Sequence, residues 1–251
     1  MKVLLNGFCG KMGQSIYNIS KTMQDINVTE GVDRPEAVSN YPNCEVSVYD
    51  NINDSKNCDV VIDFSHPNAL KSVLDFCKKE NKPVVLATTG YNEVDDKMIE
   101  DYARFIPIFK SSNMSEGVSV MLALIRKALP MLEEWDIEIV EKHHKHKKDA
   151  PSGTAKMIAN EVLSHRTDSN LVYGRNPESP KRDDRDIGVS AIRGGGCAGE
   201  HEIGFYSDSE IITIKHEAFS RDIFAKGALK AGKFIVEQKP GLYTMGDLYK
   251  D

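Results

Sequence analysis

The segment Glu141-Lys142-His143-His144-Lys145-His146-Lys147-Lys148 packs three of the chain's seven histidines and four lysines into one short run. Asp149-Ala150-Pro151-Ser152-Gly153-Thr154 follows at once. Imidazole titrates near neutral pH, so histidines here could pass protons. Lys147, set among other cations, would have its ammonium form destabilised and become a better acid. Ser152 suits a helix N-cap, and Gly153 and Thr154 behind it would present backbone N–H groups that no helical carbonyl takes up. A positive loop beside such a helix end suits a small substrate carrying carboxylates. Other readings stand beside this one. A charge run can be a plain solvated loop. His143, His144 and His146 could bind a metal, although no cysteine lies near and four lysines would repel a cation. Nucleic-acid binding is disfavoured by a net charge of −6 (32 Lys plus Arg against 38 Asp plus Glu) and by the lack of interleaved aromatics.

A second cluster of chemical interest is Gly7-Phe8-Cys9-Gly10-Lys11-Met12-Gly13, between a strand-like and a helix-like stretch. Glycines there permit a tight turn and close approach of the backbone to a pyrophosphate, and the helix N-terminus supplies donors and a positive dipole end. The spacing is GxxGxxG, with Cys9 where the usual GxGxxG pattern has its second glycine. An ordinary turn has the same residues. Asp33 lies about 20 residues beyond Gly13, where a carboxylate binds an adenosine ribose; a solvated loop aspartate is the alternative. Arg34 follows directly and could accept a 2′-phosphate bidentately, so the pair Asp33-Arg34 predicts tolerance of both NADH and NADPH.

The elements that must carry these residues change pattern along the chain. Lys2 to Asn6, Val28 to Val32, Asp59 to Phe64, Pro83 to Ala87 and Ile106 to Phe109 read as buried strands. Helical patterns at Gly13 to Asp25 (Ile16, Ile19, Met23), from Pro67 (Leu70, Val73, Leu74, Cys77) and at Glu93 to Arg104 alternate with them. Such alternation implies a parallel, doubly wound α/β sheet. Beyond Ser111 the chain reads as a long helix, Ser115 to Trp135, bent or ended near Pro130. Asp136 to Val140 alternates as a strand with one wet face, and Ser152 to Leu163 is helical. Ile187 to Arg193, His201 to Tyr206 and Glu210 to Lys215 look like strands of a second, largely open sheet. Asn170 to Asp186 reads as a loop, and Arg221 to Glu237 as a last helix.

The bulk numbers set limits. Hydrophobic residues make up 40% of 251, enough for a real core, and no apolar run approaches the ~20 residues of a membrane span. The opening Met1 to Gly7 is too soon broken to read as a signal peptide. Five scattered cysteines, Cys9, Cys44, Cys58, Cys77 and Cys197, form no CxxC pair and fit a reducing cytosol.

The stretch EKHHKHKKDAPSGTA, Glu141 to Ala155, closely resembles the active-site segment of the 4-hydroxy-tetrahydrodipicolinate reductase (dihydrodipicolinate reductase) family. Gly7 to Gly13 resembles that family's cofactor turn, and Ala87-Thr88-Thr89-Gly90 its nicotinamide-side loop. Asn113-Met114-Ser115-Glu116-Gly117-Val118 resembles its interdomain hinge, and Gly199-Glu200-His201 a loop of its substrate domain. The resemblance implies reduction of a cyclic dicarboxylate by NAD(P)H with loss of water, giving tetrahydrodipicolinate in lysine and diaminopimelate biosynthesis. By position it implies His143 as the proton donor/acceptor and Lys147 as a second proton donor. His144, Gly153 and Thr154 would contact substrate. Gly7, Phe8, Cys9, Gly10, Lys11, Met12, Asp33, Arg34, Ala87, Thr88, Thr89, Ser111, Ser112, Asn113 and Met114 would contact the cofactor. The implied fold is a Rossmann-type doubly wound parallel sheet (1–112 and 219–251) plus a second α+β domain with an open mixed sheet (113–218), a cytoplasmic homotetramer packed through those open sheets, without membrane or nucleic-acid partners. Ser111 to Gly117 and the chain near Phe219 are the candidate hinges for any closure of the two domains. Three departures are visible. Ala87 stands where the family usually has Gly, Ser111-Ser112 and Met114 differ around Asn113, and Lys11 stands for Arg. Two other readings remain: a two-domain dehydrogenase of an amino or keto acid, which would not need a dicarboxylate site, and a non-catalytic nucleotide-binding protein, which would not need His143 and Lys147.

Overall fold

The computed structural model describes residues 1–41 and 45–249, so Cys44 lies outside the described residues. In chain order the strands are β1 (Lys2–Asn6), β2 (Asn27–Val32), β3 (Ser47–Tyr49), β4 (Val60–Asp63), β5 (Val84–Leu86) and β6 (Pro107–Lys110). Then come β7 (Asp136–His143), β8 (Asn170–Tyr173), β9 (Asp186–Arg193), β10 (Gly199–Tyr206), β11 (Ile211–Ala218) and β12 (Gly241–Tyr243). The helices are α1 (Lys11–Ser20), α2 (Pro35–Ser39), α3 (Leu70–Lys79), α4 (Glu93–Ala103), α5 (Glu116–Ala128), α6 (Gly153–His165) and α7 (Asp222–Ile235). The chain divides into two compact units, Met1–Glu116 with Asp222–Asp251, and Gly117–Arg221.

The first unit is a seven-stranded sheet in the order β12-β6-β5-β4-β1-β2-β3, with every pairing parallel. Its central strands are apolar at successive positions because both faces are covered. Val3, Leu5, Ile62 and Val85 meet Ile16 of α1 and Ala228 and Leu229 of α7 on one face. Leu4, Val61, Val84 and Leu86 meet Leu70 and Leu74 of α3 and Ile99 of α4 on the other. The order turns back between β1 and β4, and the crevice at the carboxyl ends of such strands is where this kind of sheet binds ligands. Asn6 and Asp63 are the last residues of those two strands.

The second unit is a five-stranded mixed sheet, β11-β10-β7-β9-β8. Strand β10 runs antiparallel to β7 and β11, and β9 runs parallel to β7 and β8. Helices α5 and α6 cover one face, burying Ile137, Ile139, Ile203 and Phe205 under Met121, Ile125, Ile158 and Val162. Ile192, Ile211, Ile212 and Tyr173 remain exposed.

Several boundaries depart from the sequence reading. Residues 170–186 are not all loop: Asn170–Tyr173 pairs with β9 as an edge strand. Its apolar run, Leu171 to Tyr173, is only three residues long, half-exposed and set in a polar stretch. Helix α1 ends at Ser20, so Met23 packs on the core from a turn instead of from the helix. The long helix after Ser115 stops at Ala128, and Leu129–Met131 forms a single tighter turn, as Pro130 demands by lacking an N–H.

Candidate active site

The glycine turn is built so that backbone replaces side chain. Gly7 has φ +83°, a conformation only glycine adopts without strain. A methyl group on Gly13 would lie 2.3 Å from the Gly7 carbonyl oxygen and 2.5 Å from that of Phe8. The N–H groups of Gly7 and Phe8 donate to the Val32 carbonyl, and that of Gly10 donates to Gly7. Cys9 N–H donates to Asp33 Oδ2 at 2.8 Å. Asp33 therefore ties the turn to the end of β2, and Oδ1 accepts from Arg34 N–H at 2.8 Å. With those amides engaged inside the turn, the N–H groups of Lys11, Met12 and Gly13 in the first turn of α1 are the ones without an intrahelical carbonyl, since Gln14 N–H makes the first such bond, to Gly10. Gly10, the α1 N-cap, offers no side chain, and the first turn holds no acidic residue. Helix α4 is the opposite: Asn92 and Asp95 close a capping box there, with Glu93 and Asp96 beside them. One helix end is sealed by its own side chains, and the other is left to an external anion. This cradle fits a dinucleotide pyrophosphate. Phe8 itself is fully buried and lies against Gly31, so it could meet a nucleotide only through its backbone.

The loop after β5 is fixed from below. Asp63 is fully buried and accepts from Asn6 Nδ2 (2.7 Å), Ser65 Oγ (2.5 Å) and Thr88 Oγ1 (2.7 Å). Burial pushes its carboxyl above the ordinary value, against the opposing pull of those donors. Ala87 and Thr88 are buried, whereas Thr89 and Gly90 are exposed and border a cleft of about 710 Å³ that also touches His66, Pro67 and Met98. Ser111, Asn113 and Ser115 close a compact turn: Ser111 Oγ donates to the Asn113 carbonyl, and Ser115 N–H donates to Asn113 Oδ1. Met114 is buried in the core, while Ser112 is exposed.

In the second unit, β7 alternates with strict parity. Ile137, Ile139, Glu141 and His143 face inward, so one strand face passes from hydrocarbon to ionisable groups. Glu141 is completely buried. Its Oε2 meets His143 Nδ1 at 2.6 Å and Arg193 Nη1 at 2.7 Å; its Oε1 accepts from Arg193 Nη2 at 2.7 Å and Ser152 N–H at 3.0 Å. Burial pushes this carboxyl up, but Arg193, His143 and the Ser152 amide outweigh it and hold it below the ordinary value. Ser152 Oγ caps α6 by accepting from Ala155 N–H and contacts His201 Nε2 at 2.8 Å. The His143 and His201 rings meet edge to face, 5.1 Å between centroids. Gly153 opens α6, with nothing within 4 Å of where its Cβ would stand. His144 is half-buried, its titration pushed down by desolvation and then by Arg221, His146, His143 and Lys147.

His143, His144, Lys147, Gly153 and Thr154 thus lie on the end of β7, the loop after it and the start of α6. Lys147 is not surrounded only by cations: its Nζ sits 2.9 Å from Asp149 Oδ1. The sequence argument for it as a cation-destabilised acid omitted this carboxylate. Sequence reasoning also missed Glu141, Arg193 and Asp63. Parity would have found Glu141, had β7 been carried past Val140. Among the described residues no group of His, Cys, Asp and Glu side chains could hold a metal ion, and no helix is long and apolar enough to cross a membrane.

A doubly wound parallel sheet with an unsealed glycine turn, and a second unit bearing a carboxylate-held imidazole beside a helix N-terminus, define a Rossmann-type oxidoreductase that uses a nicotinamide cofactor. Comparison with known proteins narrows this class. The family models described as dihydrodipicolinate reductase, N-terminus, and dihydrodipicolinate reductase, C-terminus, match residues 1–114 and 117–249. The 4-hydroxy-tetrahydrodipicolinate reductase of Caldanaerobacter subterraneus subsp. tengcongensis is 44% identical over 254 residues, 100% of this chain and 98% of that protein. The Clostridium tetani protein of the same name is 42% identical over 248 residues, covering 98% of this chain and 95% of its own. The dipicolinate-bound dihydrodipicolinate reductase of Paenisporosarcina sp. TG-14 superposes with a TM-score of 0.84 at 23% identity, covering 99% of each chain. A Thermotoga maritima protein described as a probable dehydrogenase shares the fold more distantly, with TM-score 0.62 and 12% identity over 99% of this chain and 92% of that one. The chain belongs to the dihydrodipicolinate reductase family and is an enzyme, an oxidoreductase.

Proposed function

We propose that the chain reduces 4-hydroxy-tetrahydrodipicolinate to tetrahydrodipicolinate, with loss of water, in lysine and diaminopimelate biosynthesis. The observation that carries this reading is His143, gripped at Nδ1 by buried Glu141, next to the open N-terminus of α6 at Gly153. A substrate carboxylate would accept from the first-turn N–H groups at Gly153 and Thr154, with His144 beside it. Lys147, oriented by Asp149, would supply a second cation and proton. Hydride addition to an unsaturated ring leaves negative charge on its conjugated nitrogen system, and a protonated side chain placed there quenches it.

The cofactor would rest on the first turn of α1, at Lys11 and Met12, with Gly7 to Gly10 shaping the turn and Asp33 and Arg34 at the adenosine end. Ala87 to Thr89 and Ser111 to Met114 would flank its far end, Phe8 and Met114 through backbone only. When bound, the nicotinamide supplies the hydride. Asp33 suits a ribose hydroxyl, and exposed Arg34 a 2′-phosphate, which supports use of both NADH and NADPH. The exposed Ile192, Ile211, Ile212 and Tyr173 support assembly of a homotetramer through the second sheet. Among the described residues Cys9, Cys58, Cys77 and Cys197 form no disulfide, which supports a reducing cytoplasm.

The test couples dihydrodipicolinate synthase to the purified chain and follows absorbance of NADPH and of NADH. Oxidation of the reduced nucleotide that depends on the synthase is expected. No oxidation with either nucleotide removes the proposal.

A further inference from the structure

We infer that Glu141, clamped by Arg193, is a positioning residue that decides which nitrogen of His143 meets the substrate and where the N-terminus of α6 stands. The inference rests on the proposed role of His143 and adds to it the group that makes that role directional.

The geometry gives Glu141 a grip on both halves of the site. An ionised carboxylate only accepts hydrogen bonds. At 2.6 Å from Glu141 Oε2, His143 Nδ1 must therefore be the donor and carry hydrogen in the neutral ring as in the cation. Proton exchange is left to Nε2. Among the described residues no hydrogen bond occupies Nε2, and a methyl on Gly199 would stand 3.1 Å from it, so the bare glycine keeps room there. The second oxygen, Oε1, accepts from Ser152 N–H at 3.0 Å, which sets the first turn of α6 against β7. One carboxylate thus fixes the ring that would pass a proton and the amides that would hold the substrate.

Arg193 makes the arrangement rigid. Its guanidinium donates to both Glu141 oxygens at 2.7 Å. It also donates to the carbonyls of Ile192 at 2.8 Å and Asp149 at 2.6 Å. The Asp149 contact matters because Asp149 is the partner of Lys147. The fork therefore spans β9, β7 and the loop bearing the second cation. Lysine could not reproduce it, having a single nitrogen in place of a planar pair.

Two measurements test this. In the wild-type chain with ¹⁵N-labelled histidine, long-range ¹H–¹⁵N correlation at mildly alkaline pH reads the tautomer of His143, assigned through its loss in His143→Gln. Hydrogen on Nδ1 is expected, and hydrogen on Nε2 alone overturns the inference. In the coupled assay, Glu141→Gln leaves one acceptor oxygen for Arg193, His143 and Ser152, and should lower kcat about 100-fold while nucleotide KM stays within about twofold. Arg193→Lys, the milder variant, should lower kcat about tenfold and raise the Nε2–H population. If Glu141→Gln does not fold, the wild-type tautomer and Arg193→Lys decide. Folded variants with kcat within twofold of wild type overturn the inference. A wild-type chain without turnover would instead remove the reductase reading, and the tautomer alone would then judge Glu141.

Discussion

Acid should weaken the second unit through His201, and the size of the effect follows from its surroundings. The ring is 5% exposed on β10, with Nε2 against Ser152 Oγ and Nδ1 buried without a partner among the described residues. Burial first, and then the neighbouring His143, push its titration down from 6.5 to about 4; Glu141 pulls the other way, and His216 and Lys147 add to the push. The unfolded chain takes up this proton near pH 6.5, whereas the folded chain refuses it until about pH 4. Stability is therefore intact above pH 6.5 and falls as pH drops toward 4, by about 1.4 kcal/mol per pH unit. Across that interval the loss reaches about 3 kcal/mol. The chain's single tryptophan, Trp135, lies in this unit, so its fluorescence in urea titrations reports the unfolding of interest. His201→Gln keeps a polar contact for Ser152 but cannot titrate. Wild type should lose stability more steeply than the variant by one proton's worth between pH 6.5 and 4.5. Subtracting the variant cancels His216, also held down by burial, and Asp63, held up by it. Parallel curves for the two proteins would refute the reasoning.

Three further perturbations reach other parts of the molecule. Gly227→Ala would set a methyl 1.7 Å from the Met114 carbonyl oxygen, a backbone atom that cannot step aside; a loss of roughly 2–4 kcal/mol is expected, read as a lowered thermal midpoint. Asp63→Asn removes half of the acceptor capacity beneath Thr88, so nucleotide KM should rise about tenfold with a smaller change in kcat, and an unchanged KM would mean that the loop does not depend on this carboxylate. Arg34→Ala should lower kcat/KM for NADPH about tenfold and for NADH less than twofold; a strong preference for one nucleotide that survives the substitution would exclude Arg34 as the discriminating group.

The inner strands of the first sheet were legible because burial on both faces leaves an apolar run, as at Val60, Val61 and Ile62. The edges were not. Ser47–Tyr49 and Gly241–Tyr243 are three residues each, partly exposed, and owe their conformation to a neighbouring strand more than to composition. The same holds for Asn170–Tyr173, recruited by β9 from a polar stretch. Within the candidate site, the histidines and the PSGT helix start stood out by density and spacing. Their supports did not, because Glu141, Arg193 and Asp63 are ordinary charged residues whose meaning lies in partners far along the chain: Arg193 is 52 positions from Glu141, and Asp63 is 57 from Asn6. Lys147 shows the reverse error. Its close carboxylate was only two residues away, and counting the lysines around it hid the partner.

The two-residue repeat of β7 has a consequence for inheritance. Ile137 and Ile139 anchor the fold on the same face that carries Glu141 and His143. Inserting or deleting one residue between Ile139 and Glu141 would put the isoleucines and the Glu141–His143 pair on opposite faces, and one before Ile137 would move all four off the inward face. A one-residue change of length between Ile137 and His143 therefore breaks the common phase of the isoleucines and the ionisable pair. Viable lineages should therefore vary in length elsewhere, in exposed connections such as 175–185, and keep the count of this strand as a frame common to the core and the proposed site.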